Sequence, residues 1–148
     1  TVVGTARPGG PAEAALDRLS LRDAVRFTGA VPEAELVDLL QRATVVAIPS
    51  LYEGFSLPAI EAMACATPLV TTDAGALPEV VGTDAGLQVR AGDVGELTEA
   101  LRQVLDSPEL AERLGRAGRR RVLDHYTWRG TAQRTAEWYA DVLERKGA

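Results

Sequence analysis

Cysteine, lysine, histidine and methionine are nearly absent from the sequence, and some of these scarcities exclude a class of structure. One cysteine among 148 residues rules out an internal disulfide and is typical of a reducing compartment. No cluster of residues has the spacing of metal ligands, so we expect no bound metal. No run approaches the roughly 20 apolar residues of a membrane span, and a net charge of −5 argues against a general nucleic-acid binder. We therefore expect a cytoplasmic protein without a transmembrane segment.

The residues that are present have the ordinary balance of a soluble domain, with 46% hydrophobic and 25% charged residues. Short apolar, β-branched runs predict five strands: Thr1–Gly4, Ala24–Thr28, Thr44–Pro49, Leu69–Thr72 and Gly86–Arg90. Helical patterns lie between and after them: Pro11–Leu19, Glu33–Arg42, a helix from Pro58, Pro78–Val81, a helix capped by Asp93, one from Ser107, and Trp128 to about Lys146. This alternation predicts an α/β fold with a doubly wound parallel sheet, Rossmann-like, in one domain that spans residues 1–148.

The segment SLYEGFSLPAIEAMACATP (Ser50–Pro68) predicts a polar loop between a buried strand and a helix. Pro58 favours a helix start, because a missing N–H costs nothing in the first turn. Such a loop lies at the carboxyl edge of a parallel sheet, where these folds bind ligands. Gly54 lets a ligand approach the backbone closely. We expect free N–H groups, strengthened by the helix dipole, to form an anion site that fits a diphosphate; they belong to Phe55, Ser56 and Leu57.

Two acids bracket this loop. Glu53 lies within it, and Glu61 lies about one turn into the helix. A carboxylate can accept two hydroxyl protons at once, so the arrangement suits a nucleotide sugar, with Glu53 toward the sugar and Glu61 toward the ribose. The alternative is a loop acid and an exposed helix glutamate that have no shared role, since the chain carries 21 acids.

The same segment resembles a known family. EGFSLPAIEAMACATPLV is similar to the E-x7-E segment of the family 4 glycosyltransferases, usually written EGFGLPxLEAMAxGxPVV. RFTGAVP (Arg26–Pro32) is similar to that family's "VxFxGxV", and DAGALPEVV (Asp73–Val81) to its "xxGGxPEVV". DHYTWRGTAQRTAEWY (Asp124–Tyr139) is similar to its closing "xFSWxxxAxxxxxxY". The resemblance covers essentially the whole chain in the right order.

The resemblance implies a retaining enzyme of the two-domain GT-B architecture, with this chain as its carboxyl-terminal, nucleotide-sugar-binding domain. It implies no metal or other cofactor, because the helix dipole and basic side chains stabilise the diphosphate. It also implies that the base is held by backbone groups of the turn Gly29, Ala30 and Val31. In the family, an acceptor-binding domain and the first strand of this domain precede the equivalent of Thr1. We therefore expect a fragment that lacks part of its first β-α unit and is inactive alone.

Several residues keep two interpretations. Glu79 either lines the donor pocket or favours a short helix start through the dipole. Arginines of one helix either touch anionic lipid headgroups, which would place the protein at the inner face of the membrane, or form a solvated face paired with acids; they are Arg113, Arg116, Arg119, Arg120 and Arg121. Ala66 and Ala76 stand where the family usually has glycine, and either methyl would shift backbone beside the ligand.

The function that these features favour is hexose transfer from a nucleoside diphosphate sugar with retention of configuration, a step in carbohydrate biosynthesis. One alternative is a nucleotide-sugar epimerase or hydrolase of the same fold. Another is a non-catalytic nucleotide-sugar sensor or assembly module. Because the chain end crosses onto the amino-terminal domain in the resembling family, we also expect Trp128, Trp138 and Tyr139 to lack their partner surface here, which favours self-association or a shifted helix.

Overall fold

A computed structural model describes residues 1–147. The helices in this part of the chain are α1 (Pro11–Arg18), α2 (Glu33–Arg42), α3 (Leu57–Ala64), α4 (Leu77–Val81), α5 (Val94–Asp106), α6 (Pro108–His125) and α7 (Trp128–Gly147). The strands are β1 (Val46–Ile48), β2 (Leu69–Thr72) and β3 (Leu87–Val89). The chain divides into two compact units, Thr1–Asp38 and a second that begins at Leu39.

The three strands of the second unit form one parallel sheet in the order β1-β2-β3. Val46 pairs with Leu69, and Val70 pairs with Leu87. Side chains alternate between the faces of a strand, and the neighbours Leu69 and Val70 belong to two different hydrophobic clusters. The first cluster contains residues of α3, α4 and α6, and the second contains residues of α5 and α6. Helices therefore cover both faces, which confirms the predicted doubly wound parallel sheet.

The prediction of five strands is wrong. Thr1–Gly4 and Ala24–Thr28 form no regular strands in the first unit. They meet only through isolated bridges, parallel between Val2 and Phe27 and antiparallel between Gly4 and Gly29. Two short segments that pair only with each other are marginal as a sheet, so strand propensity alone does not extend the ladder here.

Two arginines of α6 bind the C-terminal ends of neighbouring helices. The Arg121 guanidinium donates to the carbonyls of Val80 at 2.8 Å and Glu79 at 2.6 Å, in the last turn of α4. Arg119 donates to the carbonyl of Ala64, the last residue of α3. Helix C-termini leave carbonyls without partners, and a cation there also favours the dipole. Two of the five arginines thus complete the fold, and Arg116 pairs with Glu112 on its own helix.

The helix that follows the candidate loop is fixed by close packing against α6. A Cβ on Gly118 would lie 2.9 Å from the Met63 Cγ atom, and a Cβ on Gly115 would overlap the Ala66 carbonyl oxygen. Both glycines are buried, so α3 and α6 approach more closely than side chains would allow. This contact holds the C-terminal end of α3 against α6.

Candidate functional site

The N-cap of α3, at the end of the loop after β1, has an unusual conformation. Ser56 is the N-cap residue, yet its φ of 64° is left-handed and its side chain makes no capping hydrogen bond. Its hydroxyl is buried and has no partner in the described part of the chain. A serine at this position usually accepts a hydrogen bond from an N–H of the first turn. Here the first turn does not receive that acceptor from Ser56.

The backbone N–H groups at the start of α3 are available. Within residues 1–147, Phe55, Ser56 and Leu57 donate their N–H groups to no acceptor of the chain. Phe55 and Leu57 are 50% and 60% exposed, so the surface around this helix start is open. Gly54 is also exposed, and a Cβ built on it would meet nothing within 4 Å. The arrangement can receive an anion, because unpaired donors and the positive end of the dipole coincide.

Glu53 is held at both its main chain and its side chain. Its carbonyl oxygen accepts a hydrogen bond of 2.9 Å from the N–H of Ala76, in the loop after β2. Its carboxylate Oε2 accepts one of 3.2 Å from the Ser50 hydroxyl. Gly75 has a φ of 56°, and a Cβ there would overlap the Glu53 carbonyl oxygen. The loops after β1 and β2 are therefore packed directly against each other, with Glu53 at the contact.

Glu61 lies on the exposed face of α3. Leu57, one turn earlier, is also exposed, whereas Ala59, Ala62 and Met63 are buried on the opposite face. Residues four apart on a helix lie on the same face, roughly 6 Å apart along the axis. The carboxylate of Glu61 therefore extends from the same side of α3 as the exposed start of that helix.

Glu79 is exposed on α4, and its backbone carbonyl binds two side chains. Its carbonyl oxygen accepts from Arg121 and, at 3.4 Å, from the Tyr126 hydroxyl. The Tyr126 ring also meets the Phe55 ring edge-on, with centroids 6.1 Å apart. These contacts use no carboxylate oxygen of Glu79, so both interpretations of its side chain stay open.

Gly29, Ala30 and Val31 lie in the first unit. The structure shows which of their backbone groups are already hydrogen-bonded and which are left to bind a base. The N–H of Gly29 donates to the Gly4 carbonyl at 2.9 Å. The Gly29 carbonyl accepts from the Gly4 N–H at 3.1 Å and from the Thr28 hydroxyl at 3.0 Å. The backbone groups of Gly29 are thus already paired, and a base would have to use those of Ala30 and Val31.

The expectation that the Ala66 methyl shifts backbone beside the ligand is wrong. Ala66 follows the C-terminal end of α3, at the opposite end of the helix from Ser56. Ala66 is exposed with a φ of 57°, a conformation that costs a residue with a Cβ about 1–2 kcal/mol. Ala76, in contrast, has an ordinary φ of −84° and lies in the loop contact with Glu53.

Changing Ala66 to glycine should therefore stabilise the protein. Glycine adopts a left-handed φ freely at a helix C-terminus, and this gain exceeds its larger loss of backbone entropy. We expect the free energy of unfolding to rise by about 0.5–1 kcal/mol, measured by urea denaturation. Ala64→Gly, at the last residue of α3, is the control and should lower it by about 0.5–1 kcal/mol, because the backbone there is still helical; equal effects of the two changes would contradict this account.

Two depressions of the surface of the second unit lie away from these residues. A depression of about 290 Å³ lies beside β3 and α5, and one of about 150 Å³ lies between Leu51 and the start of α5. Neither is lined by Glu53, Glu61 or residues 55–57. Among residues 1–147, no three potential metal-binding side chains cluster, and no helix there is long and apolar enough to cross a bilayer.

Three residues of the site were missed by sequence reasoning. Ser50 and Gly75 contact Glu53, and Thr72 donates from its hydroxyl to the Ser50 carbonyl at 2.5 Å. Each belongs to the end of a strand or the loop after it, which is the one signal that could have found them. The contacts of Thr72 with Ser50 and of Gly75 with Glu53 are not readable from the sequence, because each joins residues about 20 positions apart.

Several known proteins are similar in sequence to this chain. A family model described as glycosyl transferases group 1 matches residues 2–121. The MMP alpha-(1->4)-mannosyltransferase of Mycolicibacterium hassiacum is 46% identical over 143 residues, which are 95% of this chain and 35% of that protein. The glycogen synthase of Mycobacterium tuberculosis is 43% identical over 117 residues, 78% of this chain and 28% of that protein. The chain thus spans about a third of the length of the curated relatives it matches.

Solved structures show the same architecture. Sucrose-phosphate synthase from Thermosynechococcus elongatus has a TM-score of 0.85 and 32% identity, over 97% of this chain and 38% of that one. Anabaena HepE in complex with UDP has a TM-score of 0.85 and 23% identity, over 94% of this chain and 40% of that one. These likenesses confirm the predicted fold class, a Rossmann-like sheet as in the carboxyl-terminal half of a GT-B enzyme. Together with the family match, they establish that this chain belongs to the glycosyl transferases group 1 family.

Proposed function

We propose that this chain is the nucleotide-sugar-binding half of a retaining hexosyltransferase. The observation that carries the proposal is the start of α3, where the N–H groups of Phe55, Ser56 and Leu57 have no acceptor within residues 1–147. In the sequence these three residues lie between Glu53 and Glu61. Unpaired N–H groups at a helix N-terminus bind phosphate groups well. Membership of the glycosyl transferases group 1 family supports a donor of the nucleoside diphosphate sugar type.

In this proposal the bond between the anomeric carbon and the diphosphate oxygen breaks. The acceptor hydroxyl oxygen bonds to the same face of the sugar, and its proton passes to the departing diphosphate. Negative charge builds on the departing diphosphate, and the N–H groups at the start of α3 stabilise it, as preorganised donors do in a transition state. Glu53 orients the sugar through its hydroxyls. Glu61 accepts hydrogen bonds from the ribose hydroxyls.

A second domain is part of the proposal. Phe55 and Leu57, which follow Glu53 in this loop, are 50% and 60% exposed, and the chain spans about a third of the length of its relatives. An acceptor-binding domain would close over the donor and supply the acceptor. We expect little or no transfer by the 148-residue chain alone, and measurable turnover by it would contradict this part.

The face of α7 is the proposed contact with that domain. Residues 131–145 are all exposed, and Trp138 and Tyr139 are each 69% exposed. Trp128 at the helix start is 89% exposed. A cluster of large apolar side chains of this kind marks an interaction surface.

The 148-residue chain should therefore self-associate through α7. We expect sedimentation velocity to show dimers or larger species at micromolar concentration, and the double change Trp138→Ser and Tyr139→Ser to give a monomer. Leu105→Ser on α5, where Leu105 is 55% exposed, is the control and should leave association unchanged. A monomeric parent chain would argue against an apolar interface on this helix.

The cytoplasmic location of the protein and its use of a donor without a metal stay predictions. A cytoplasmic site of action rests on the single cysteine, and donor use without a metal rests on the helix dipole and N–H groups. Contact with the inner face of a membrane would need arginines of α6, of which Arg113 and Arg120 make no ion pair within residues 1–147.

Titration of the full-length protein with UDP, GDP and ADP, and with the hexose conjugate of each, tests the proposed function. UDP is the first choice, because HepE was solved with it. Binding of one diphosphate and its sugar conjugate, followed by transfer only when an acceptor is present, is the expected result. Product from donor alone would favour an epimerase or hydrolase, and binding to none of the ligands would favour an assembly module.

A further inference from the structure

We propose that Ser50 and Thr72 are positioning residues that orient the carboxylate of Glu53 for the donor sugar. This inference rests on the proposed function and adds to it two residues that touch no ligand themselves. The Thr72 hydroxyl holds the backbone of Ser50, and the Ser50 hydroxyl holds the side chain of Glu53.

The first link joins two neighbouring strands. Thr72 is the last residue of β2 and is 2% exposed. Its hydroxyl donates to the carbonyl oxygen of Ser50, two residues beyond β1, at 2.5 Å. A buried hydroxyl is normally hydrogen-bonded, and this bond fixes the path that the loop takes as it leaves the sheet.

The second link sets the carboxylate. Ser50 is half-buried, and its hydroxyl donates to Oε2 of Glu53 at 3.2 Å. An ionised carboxylate only accepts hydrogen bonds and has several lone pairs. With Oε2 held by Ser50, the side chain keeps one orientation, and Oε1 is left to accept from hydroxyls of the sugar.

Ser50 does not act as a helix cap. A serine three residues before a glutamate is the spacing of a capping box, but α3 begins at Leu57, and Ser56 is its N-cap. The main chain of Glu53 is held separately, by the N–H of Ala76. Loss of the Ser50 hydroxyl should therefore free the carboxylate while the loop backbone stays in place.

The test compares free and sugar-linked diphosphates on the full-length enzyme. Calorimetry with UDP and UDP-glucose, and with GDP and GDP-mannose, gives dissociation constants for the parent, Ser50→Ala and Thr72→Val. We expect Ser50→Ala to weaken the sugar conjugate by about 3- to 10-fold, the size of one hydrogen bond, and the free diphosphate by less than about twofold. Thr72→Val should show the same pattern more weakly, because it acts through Ser50.

Two further variants separate positioning from folding. Ser50→Thr and Thr72→Ser keep the hydroxyls and should restore most of the lost affinity, whereas a purely structural role would weaken both kinds of ligand together. Ser50→Ala added to Glu53→Ala should have no further effect. An equal loss for free and conjugated diphosphate, or an additive double variant, would overturn the positioning role alone. A parent enzyme that binds neither kind of ligand would overturn the proposed function, and this inference with it.

Discussion

Glu61→Ala in the full-length enzyme should weaken binding of the free nucleoside diphosphate by about 10- to 100-fold, since hydrogen bonds to a charged group contribute about 1.5–3 kcal/mol. The carboxylate of Glu61 extends from the exposed face of α3, on the side where the helix start is open. It is the acid proposed to hold the ribose, which the free diphosphate and its sugar conjugate share. Both ligands should therefore lose affinity to the same degree.

Glu53→Ala should behave differently, because Glu53 is proposed to contact only the sugar. The free diphosphate should bind as before, whereas the sugar conjugate loses about 10-fold in affinity and turnover falls further. Calorimetry and steady-state kinetics measure both effects. Glu99→Ala on α5, an exposed glutamate elsewhere on the unit, is the control and should bind as the parent does. Equal losses for the two ligands in both variants would count against the division of roles.

Gly75→Ala in the full-length enzyme should remove most of its transfer activity. Gly75 has a φ of 56°, and a Cβ there would overlap the carbonyl oxygen of Glu53. A left-handed conformation costs a residue with a Cβ about 1–2 kcal/mol, and the overlap adds about 1–3 kcal/mol. Since the loops after β1 and β2 must then separate, Glu53 moves, and a displacement of about 1 Å can cost about 100-fold in rate.

Gly92→Ala is a matched control for this change. Gly92 also has a left-handed φ, of 82°, but its nearest contact would be the Leu51 Cδ2 atom at 3.9 Å. The Gly92→Ala variant carries the same backbone cost without the overlap, so this variant should lose stability and keep most of its activity. Melting curves and kcat/KM of both variants give the comparison. Similar activity in the two proteins would show that the loop contact at Glu53 is unimportant.

The sequence predicts the structure best where local chemistry decides it. Leu69–Thr72 was predicted with its observed bounds, because a short apolar and β-branched run favours a buried parallel strand. Asp93 was predicted as a helix cap, and its carboxylate accepts from the N–H of Glu96 at 2.9 Å. The reciprocal bond of a full capping box is replaced, since the Glu96 carboxylate binds the N–H and the side chain of Arg90.

The sequence was less informative where distant segments meet. The run Thr1–Gly4 has strand propensity, but a ladder also needs partners that no local pattern reveals. Arg119 and Arg121 resemble a solvated or lipid-binding stripe, and only the fold shows that they bind the carbonyls that end α3 and α4. Gly75 matched the family pattern, while its contact with Glu53 depends on how two loops pack.

The central claim is that the start of α3 binds a diphosphate through backbone N–H groups. The most direct measurement follows the backbone amide signals of the ¹⁵N-labelled full-length protein while the best-binding nucleoside diphosphate is added, with the matching nucleoside as control. The signals of Phe55, Ser56 and Leu57 should shift most with the diphosphate and stay unchanged with the nucleoside. Saturated binding of the diphosphate with these three signals unmoved would contradict the account.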